Sequence, residues 1–88
     1  MEIKINKKFL KELSDLPVKT KEKAEKLVFD EIPTCQDIND ISNLQKLSGY
    51  KSYYRIRLGQ YRIGLRYIKG ILIFERIMHR KDIYRYFP

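Results

Sequence analysis

Two tight turns in the last third of the chain limit what it can fold into. Runs of alternating side chains lie before, between and after these turns, at Tyr53–Leu58, Tyr61–Ile68 and residues 71–78. Gly59-Gln60, with glycine first, is typical of a type II′ hairpin turn, and Lys69-Gly70 is a second two-residue connection. The spacing predicts three consecutive antiparallel strands joined as two hairpins.

The first hairpin has one register that separates basic from apolar side chains. If Leu58 lies opposite Tyr61, then Arg57 lies opposite Arg62, and directly opposed residues share a face. One face, called here the arginine face, then holds Tyr53, Arg55, Arg57, Arg62 and Arg66. The other face holds Tyr54, Ile56, Leu58, Tyr61, Ile63, Leu65 and Tyr67. Because a slip of one residue would mix the two sets, the pattern favours this register.

The third strand is apolar on both faces, as expected for a strand in the middle of a sheet. The same hairpin register puts Glu75 opposite Gly64 and His79 opposite Gln60. Both are therefore predicted to lie on the arginine face, where Glu75 would pair with Arg55 or Arg66 or act as a second acid–base group. A last short helix is predicted to bring Tyr84 near the same edge.

The first half of the chain reads as a short strand followed by two amphipathic helices. Asn6 can cap the first helix, which is predicted to end near Pro17. Apolar residues at helical spacing predict the second helix over about 18–31, and Pro33 ends it. Residues 34–48 have the weakest hydrophobic pattern of the chain. They are compatible with one irregular helical turn followed by a short strand that precedes the first hairpin.

The predicted fold class is α+β, with the N-terminal strand and helical hairpin packed on a small, mainly antiparallel sheet. A length of 88 residues suits one domain over 1–88. The single Cys35 cannot form an internal disulfide, which indicates a reducing, cytoplasmic setting. The net charge of +8, from 19 Lys and Arg against 11 Asp and Glu, favours polyanionic partners such as RNA, DNA or an acidic protein.

The arginine face has the chemistry of an RNA-binding surface. Arginines opposed across a hairpin destabilise the strand pair unless an anion lies between them, and guanidinium binds phosphate with two hydrogen bonds. Tyrosines beside them offer flat surfaces on which unpaired bases stack. A solvated strand face without a ligand is the alternative.

The same face suits RNA cleavage, in which the 2′-hydroxyl attacks the adjacent phosphate. That step needs a base, an acid and cations that stabilise the developing charge. His79 is the only histidine, and histidine is the residue type that most often transfers protons near neutral pH, although a lone histidine at a strand end also suits a structural role. Arg62 and Arg80 would stabilise the charge, and Tyr84 would stack on a base or transfer a proton. The sequence has no metal-binding or phosphate-loop motif, so no metal or other cofactor is expected.

The series YYRIR…YRIG…HRKDIY resembles the RelE-like toxins of the RelE/ParE superfamily, which belong to type II toxin–antitoxin systems. The resemblance implies a ribosome-dependent endoribonuclease that cuts mRNA in the A site and inhibits translation. It also implies a cognate RelB-like antitoxin that covers the basic face.

The resemblance also assigns roles to individual residues. Arg55 and Arg57 match a basic pair that contacts mRNA phosphate, and Arg62 matches the arginine at the cleaved phosphate. Members differ at the acid and base, so the direction in which His79 would transfer a proton stays open. The predicted catalytic residues are Arg62, His79, Arg80 and Tyr84, and the predicted RNA-binding residues are Arg55, Arg57, Arg66, Tyr53 and Lys81.

Two other functions are compatible with the sequence. A ParE-like inhibitor of DNA gyrase belongs to the same superfamily, although the HRKDIY ending argues against it. A toxin that has lost catalysis and is kept for its antitoxin contact is the third possibility.

Overall fold

The fold is α+β, as predicted, in a computed structural model that describes residues 1–88. The strands are β1 (Glu2–Ile5), β2 (Leu44–Lys46), β3 (Tyr53–Leu58), β4 (Tyr61–Ile68) and β5 (Ile71–His79). The helices are α1 (Lys7–Ser14), α2 (Val18–Glu25) and α3 (Ile83–Tyr86). Shorter helical segments are the π-helical turn Lys26–Glu31 and the 3₁₀ turns Ile32–Thr34 and Ile38–Asp40. None of the helices has the length and apolar character needed to cross a membrane.

The five strands form one sheet in the order β1-β5-β4-β3-β2. The neighbouring pairs are antiparallel except for β1, which runs parallel to β5 and covers only residues 71–74 of it. Beyond residue 74, Glu12 of α1 contacts β5 in place of a neighbouring strand. Its carboxylate accepts hydrogen bonds from Arg76 Nη2 at 2.7 Å and from the Ile77 backbone N–H at 3.1 Å. This contact ties the first helix to the far half of β5.

The main core lies between the helices and one face of the sheet. Phe9 of α1 and Ala24 of α2 are fully buried there, and Phe74 contacts Phe9 with 5.4 Å between ring centroids. The buried members of the predicted apolar face, Ile56, Ile63 and Leu65, lie in the same core. The alternation of β3 and β4 therefore separates the core side from the arginine face as predicted.

The two helices match the predicted hairpin, with differences at their ends. α1 ends at Ser14, before Pro17, and Asn6 occupies the N-cap position without a side-chain capping hydrogen bond. The second helix covers the predicted range, but it widens to π-helical geometry from Lys26. Val28 remains buried in this segment, so the change in winding keeps the apolar side on the sheet.

The two hairpin turns have the geometry that their sequences predict. Gly59 has a φ of +59° and Gln60 is outside the left-handed region, which is a type II′ turn. Lys69 and Gly70 both have positive φ, at 49° and 79°, which is the type I′ pattern. The register between β3 and β4 is the predicted one, with Arg57 opposite Arg62.

The predicted register between β4 and β5 is wrong beyond a β-bulge. Leu65 pairs with Phe74, but Gly64 pairs with Arg76, so Glu75 is the extra residue. His79 consequently lies opposite Tyr61 instead of Gln60, on the side of the sheet that carries α1 and α2. A bulge adds one residue to one strand and reverses the faces beyond it. The alternation of β5 could not reveal this shift, because the strand is apolar on both faces.

The C-terminal segment forms a second, smaller packed layer on the arginine face. Ile83 and Phe87 are buried, at 1% and 3% exposure. A Cβ added to Gly64 would lie 2.6 Å from the Phe87 ring, so the ring occupies the space above the glycine. This packing holds α3, and with it Tyr84, beside the sheet.

Candidate functional site

Four arginines and a tyrosine gather around the first hairpin turn. This group, called here the arginine cluster, contains Arg55, Arg57, Arg62, Arg80 and Tyr84. The other four members are all close enough to shift the pKa of Arg62. Arg80 is placed by β5, because its backbone N–H donates to the Gln60 carbonyl at 2.8 Å and continues the strand pairing past the bulge.

Arg62 is the buried centre of the cluster. It is 7% exposed, and its Nη1 donates to the carbonyls of Gly59 at 2.7 Å and Tyr61 at 2.8 Å. The type II′ turn therefore supplies the acceptors that hold this side chain. The buried Nε of Arg62 has no hydrogen-bond partner, and a buried donor without a partner costs free energy.

The electrostatic environment of Arg62 is unfavourable for a positive charge. Burial lowers the pKa of its guanidinium most, and the charges of Arg57, Arg55 and Arg80 lower it further, while Tyr84 acts in the opposite direction. Arginine nevertheless stays protonated at neutral pH. An anion bound at the cluster would relieve the repulsion between these positive charges.

Arg55 and Tyr84 are joined directly. Arg55 Nη1 donates to the Tyr84 hydroxyl oxygen at 2.6 Å, and Arg55 Nη2 donates to Gln45 Oε1 at 2.7 Å. Tyr84 is 53% exposed, so part of its ring is open to a stacked base. Arg57 is exposed and lies with Arg55 beside a shallow cavity of about 240 Å³ at the β2 edge.

Two predicted RNA-binding residues lie on the arginine face but apart from the cluster. Arg66 lies over the Tyr53 ring, 5.3 Å from its centroid, and is 3.8 Å from Glu75, so the predicted pairing of Glu75 with an arginine is confirmed. Tyr53 packs edge-on against Phe87. Because Phe87 lies above Gly64, between the positions of Arg62 and Arg66 on β4, its ring divides the arginine face.

His79 is not brought to the arginine cluster. Its ring packs edge-on against Tyr61 at 5.4 Å between centroids, on the opposite side of the sheet. Its Nδ1 accepts a hydrogen bond from the Lys81 backbone N–H at 3.2 Å, and the Lys81 side chain is exposed. Around His79 lie Asp82 and α1 residues such as Glu12, in a cavity of about 480 Å³. The structure contains no group of three or more His, Cys, Asp or Glu side chains that could hold a metal ion.

Sequence reasoning missed two residues that shape the site. Gln45 holds Arg55 from β2, and Phe87 packs against Gly64 and positions the C-terminal helix. Gln45 lies in the stretch with the weakest pattern, and only its pairing opposite Arg55 reveals which face it occupies. A glycine in the middle of β4 was the available signal for Phe87, since such a glycine often marks a close approach.

Comparisons with known proteins agree with this architecture. A family model described as the ParE toxin of the type II toxin-antitoxin system parDE matches residues 3–84. The chain is 39% identical over 89 residues to Toxin RelE3 of Methanocaldococcus jannaschii, with 100% of both chains covered.

Solved structures give the same result. A chain of the RelB-RelE antitoxin-toxin complex from Methanococcus jannaschii has 36% identity and a TM-score of 0.75, covering 97% of this chain and 99% of that one. The isolated RelE toxin of E. coli shares the fold with a TM-score of 0.65 at 20% identity, over 96% of this chain and 90% of that one. The resemblance and the fold class inferred from the sequence are thereby confirmed, and the chain belongs to the RelE/ParE family of toxins from type II toxin–antitoxin systems.

Proposed function

We propose that this toxin is a ribosome-dependent endoribonuclease that cuts mRNA in the A site and so inhibits translation. The observation that carries the proposal is the arginine cluster, in which a buried, repelled Arg62 lies among three further arginines and an exposed tyrosine. Such a group suits a phosphodiester better than a neutral ligand. Guanidinium groups bind phosphate oxygens, and Tyr84 offers a ring to a base.

The proposed cleavage uses the 2′-hydroxyl of the RNA as its nucleophile. The 2′-oxygen would form a bond to phosphorus while the bond to the 5′-oxygen breaks, which leaves a 2′,3′-cyclic phosphate and a 5′-hydroxyl. Arg62 and Arg80 would stabilise the extra negative charge on the phosphorus centre, and the burial of Arg62 strengthens its own interaction with that charge. Tyr84 would donate a proton to the leaving 5′-oxygen, and the 2′-hydroxyl proton would pass to solvent. This route needs no metal ion.

The other predicted residues take different places in the proposal. Arg55 and Arg57 would bind phosphates next to the cut. Arg66, Tyr53 and Lys81 would contact RNA beyond the Phe87 ring or at the exposed rim, outside the reacting group. His79 lies on the other side of the sheet, so the proposed reaction does not use it.

We also propose a RelB-like antitoxin as the partner of this chain. The solved relative from Methanococcus jannaschii is an antitoxin–toxin complex of RelB and RelE. The net charge of +8 favours an antitoxin segment with acidic side chains that covers the arginine cluster.

Inducible expression followed by mapping of mRNA 5′ ends tests the proposed activity. Cuts within translated codons are expected for the wild type and absent for Arg62→Ala. Arg85→Ala is the matched control, because Arg85 is an exposed arginine of α3. DNA double-strand breaks and an SOS response with intact translation would instead support gyrase inhibition, the alternative suggested by the ParE name of the family model. Harmless expression of the soluble wild type would support a toxin that has lost catalysis.

A further inference from the structure

The arginines of this protein are held in two chemically different ways. The two ion pairs of the chain join Arg66 to Glu75 and Arg76 to Glu12, and neither arginine belongs to the arginine cluster. Within the cluster the acceptors are neutral: backbone carbonyls for Arg62 and an amide oxygen for Arg55. Neutral acceptors restrict a guanidinium without cancelling its charge, which a phosphate-binding site requires.

Gln45 is the side chain that supplies this acceptor to Arg55. It lies on the short strand β2, directly opposite Arg55 on β3, so the two side chains share the arginine face. The 2.7 Å contact joins Gln45 Oε1 to Arg55 Nη2. Because a guanidinium only donates hydrogen bonds, the amide oxygen must be the atom that faces it.

The contact continues from Arg55 to Tyr84. Arg55 Nη1 donates to the Tyr84 hydroxyl oxygen at 2.6 Å. A phenol oxygen that accepts this bond keeps its own hydrogen free for another acceptor. The nearby positive charges of Arg57 and Arg62 would otherwise drive the long Arg55 side chain away, so its position depends on the two contacts that it makes.

We propose that Gln45 is a positioning residue for the toxin's reaction. It holds the Arg55 guanidinium, and through Arg55 it presents the Tyr84 hydroxyl as a hydrogen-bond donor to the phosphate bound at the arginine cluster. The inference rests on the proposed RNA cleavage. It adds a residue of the edge strand β2, outside the cluster itself, to the set that determines the reaction rate.

Steady-state kinetics of the cleavage of ribosome-bound mRNA test this role. Gln45→Met keeps the length of the side chain but removes the acceptor, so kcat should fall roughly ten- to hundredfold, the scale of one hydrogen bond to a charged group. Gln45→Glu keeps the acceptor but neutralises Arg55, so KM should rise while kcat is kept. Gln36→Met is the matched control, since Gln36 is an exposed glutamine outside the sheet. An unchanged kcat in folded Gln45→Met would overturn the proposal.

A double-mutant cycle separates positioning from general destabilisation. In a Tyr84→Phe background, Gln45→Met should cost little further activity, because its effect passes through the missing hydroxyl. Equal losses in both backgrounds would contradict the proposed path.

NMR of the side chains tests the contact even if the wild type does not cleave mRNA. Gln45→Met should move the signals of the Arg55 guanidinium and the Tyr84 ring, whereas Gln45→Glu and Gln36→Met should leave the Tyr84 ring signals in place. Unmoved signals in Gln45→Met would refute the positioning role itself. If Gln45→Met moves these signals but the wild type cuts no mRNA, only the proposed function is refuted.

Discussion

Phe87 lies directly above Gly64, with its ring atoms 2.6 to 2.7 Å from the point where a Cβ would stand. A glycine in the middle of β4 thus accommodates the end of the chain, and the end of the chain carries Tyr84. The fit between these two residues explains how a four-residue helix is held beside the arginine cluster. It also couples the stability of the C-terminal segment to the site.

Gly64→Ala should therefore loosen the C-terminal segment. The added methyl group overlaps the Phe87 ring, and overpacking of this kind costs about 1–3 kcal/mol of the free energy of unfolding. The Tm of thermal unfolding should fall because of the overpacking. The rate of mRNA cleavage should also fall, because Tyr84 moves with the segment. Phe87→Ala removes the overlap, so Gly64→Ala should cost less in that background. Additive losses would show that the ring does not remain above Gly64.

Arg62 should be needed for activity but not for folding. Its charge is buried among like charges, so Arg62→Met should abolish cleavage while it changes the free energy of unfolding by less than about 1 kcal/mol. Phosphate ions should raise the Tm of the wild type and raise that of Arg62→Met less. Arg85→Met serves as the control with an exposed arginine. An equal effect of phosphate on all three proteins would mean that the cluster has no special affinity for anions.

His79 offers a test of the proton-transfer role that the sequence suggested. Because its ring packs against Tyr61 on the side of the sheet opposite the arginine cluster, His79→Gln should leave the cleavage rate within about threefold of the wild type. Loss of a general acid or base typically costs about 10²–10⁴-fold in rate. A loss of that size in a folded His79→Gln variant would show that the histidine takes part in proton transfer after all.

Glu12 should contribute to stability through its contacts with β5. Its carboxylate accepts from Arg76 and from the Ile77 backbone, and its hydrogen bonds raise the pKa of Arg76. Glu12→Ala should lower the free energy of unfolding by about 1–3 kcal/mol, because both donors lose their partner. Glu22→Ala, at an exposed glutamate of α2, is the matched control in denaturant unfolding. Equal midpoints for the two variants would contradict this role.

Local patterns in the sequence determined the first hairpin, its register and the arginine face. Turn residues and side-chain alternation act over a few neighbours, so Gly59-Gln60 and the opposed Arg57 and Arg62 could be read directly. The basic and aromatic C-terminal tail predicted Arg80 and Tyr84, the resemblance to RelE-like toxins pointed to the same two residues, and the structure places both near Arg62.

Only the tertiary structure decided which side of the sheet His79 occupies and what holds the cluster together. A bulge in a strand that is apolar on both faces leaves no trace in the alternation, although it moves every later side chain to the other face. The contacts of Gln45 with Arg55 and of Phe87 with Gly64 join segments far apart in the chain. Such contacts depend on how β2 and α3 pack on the sheet, which short-range sequence patterns do not specify.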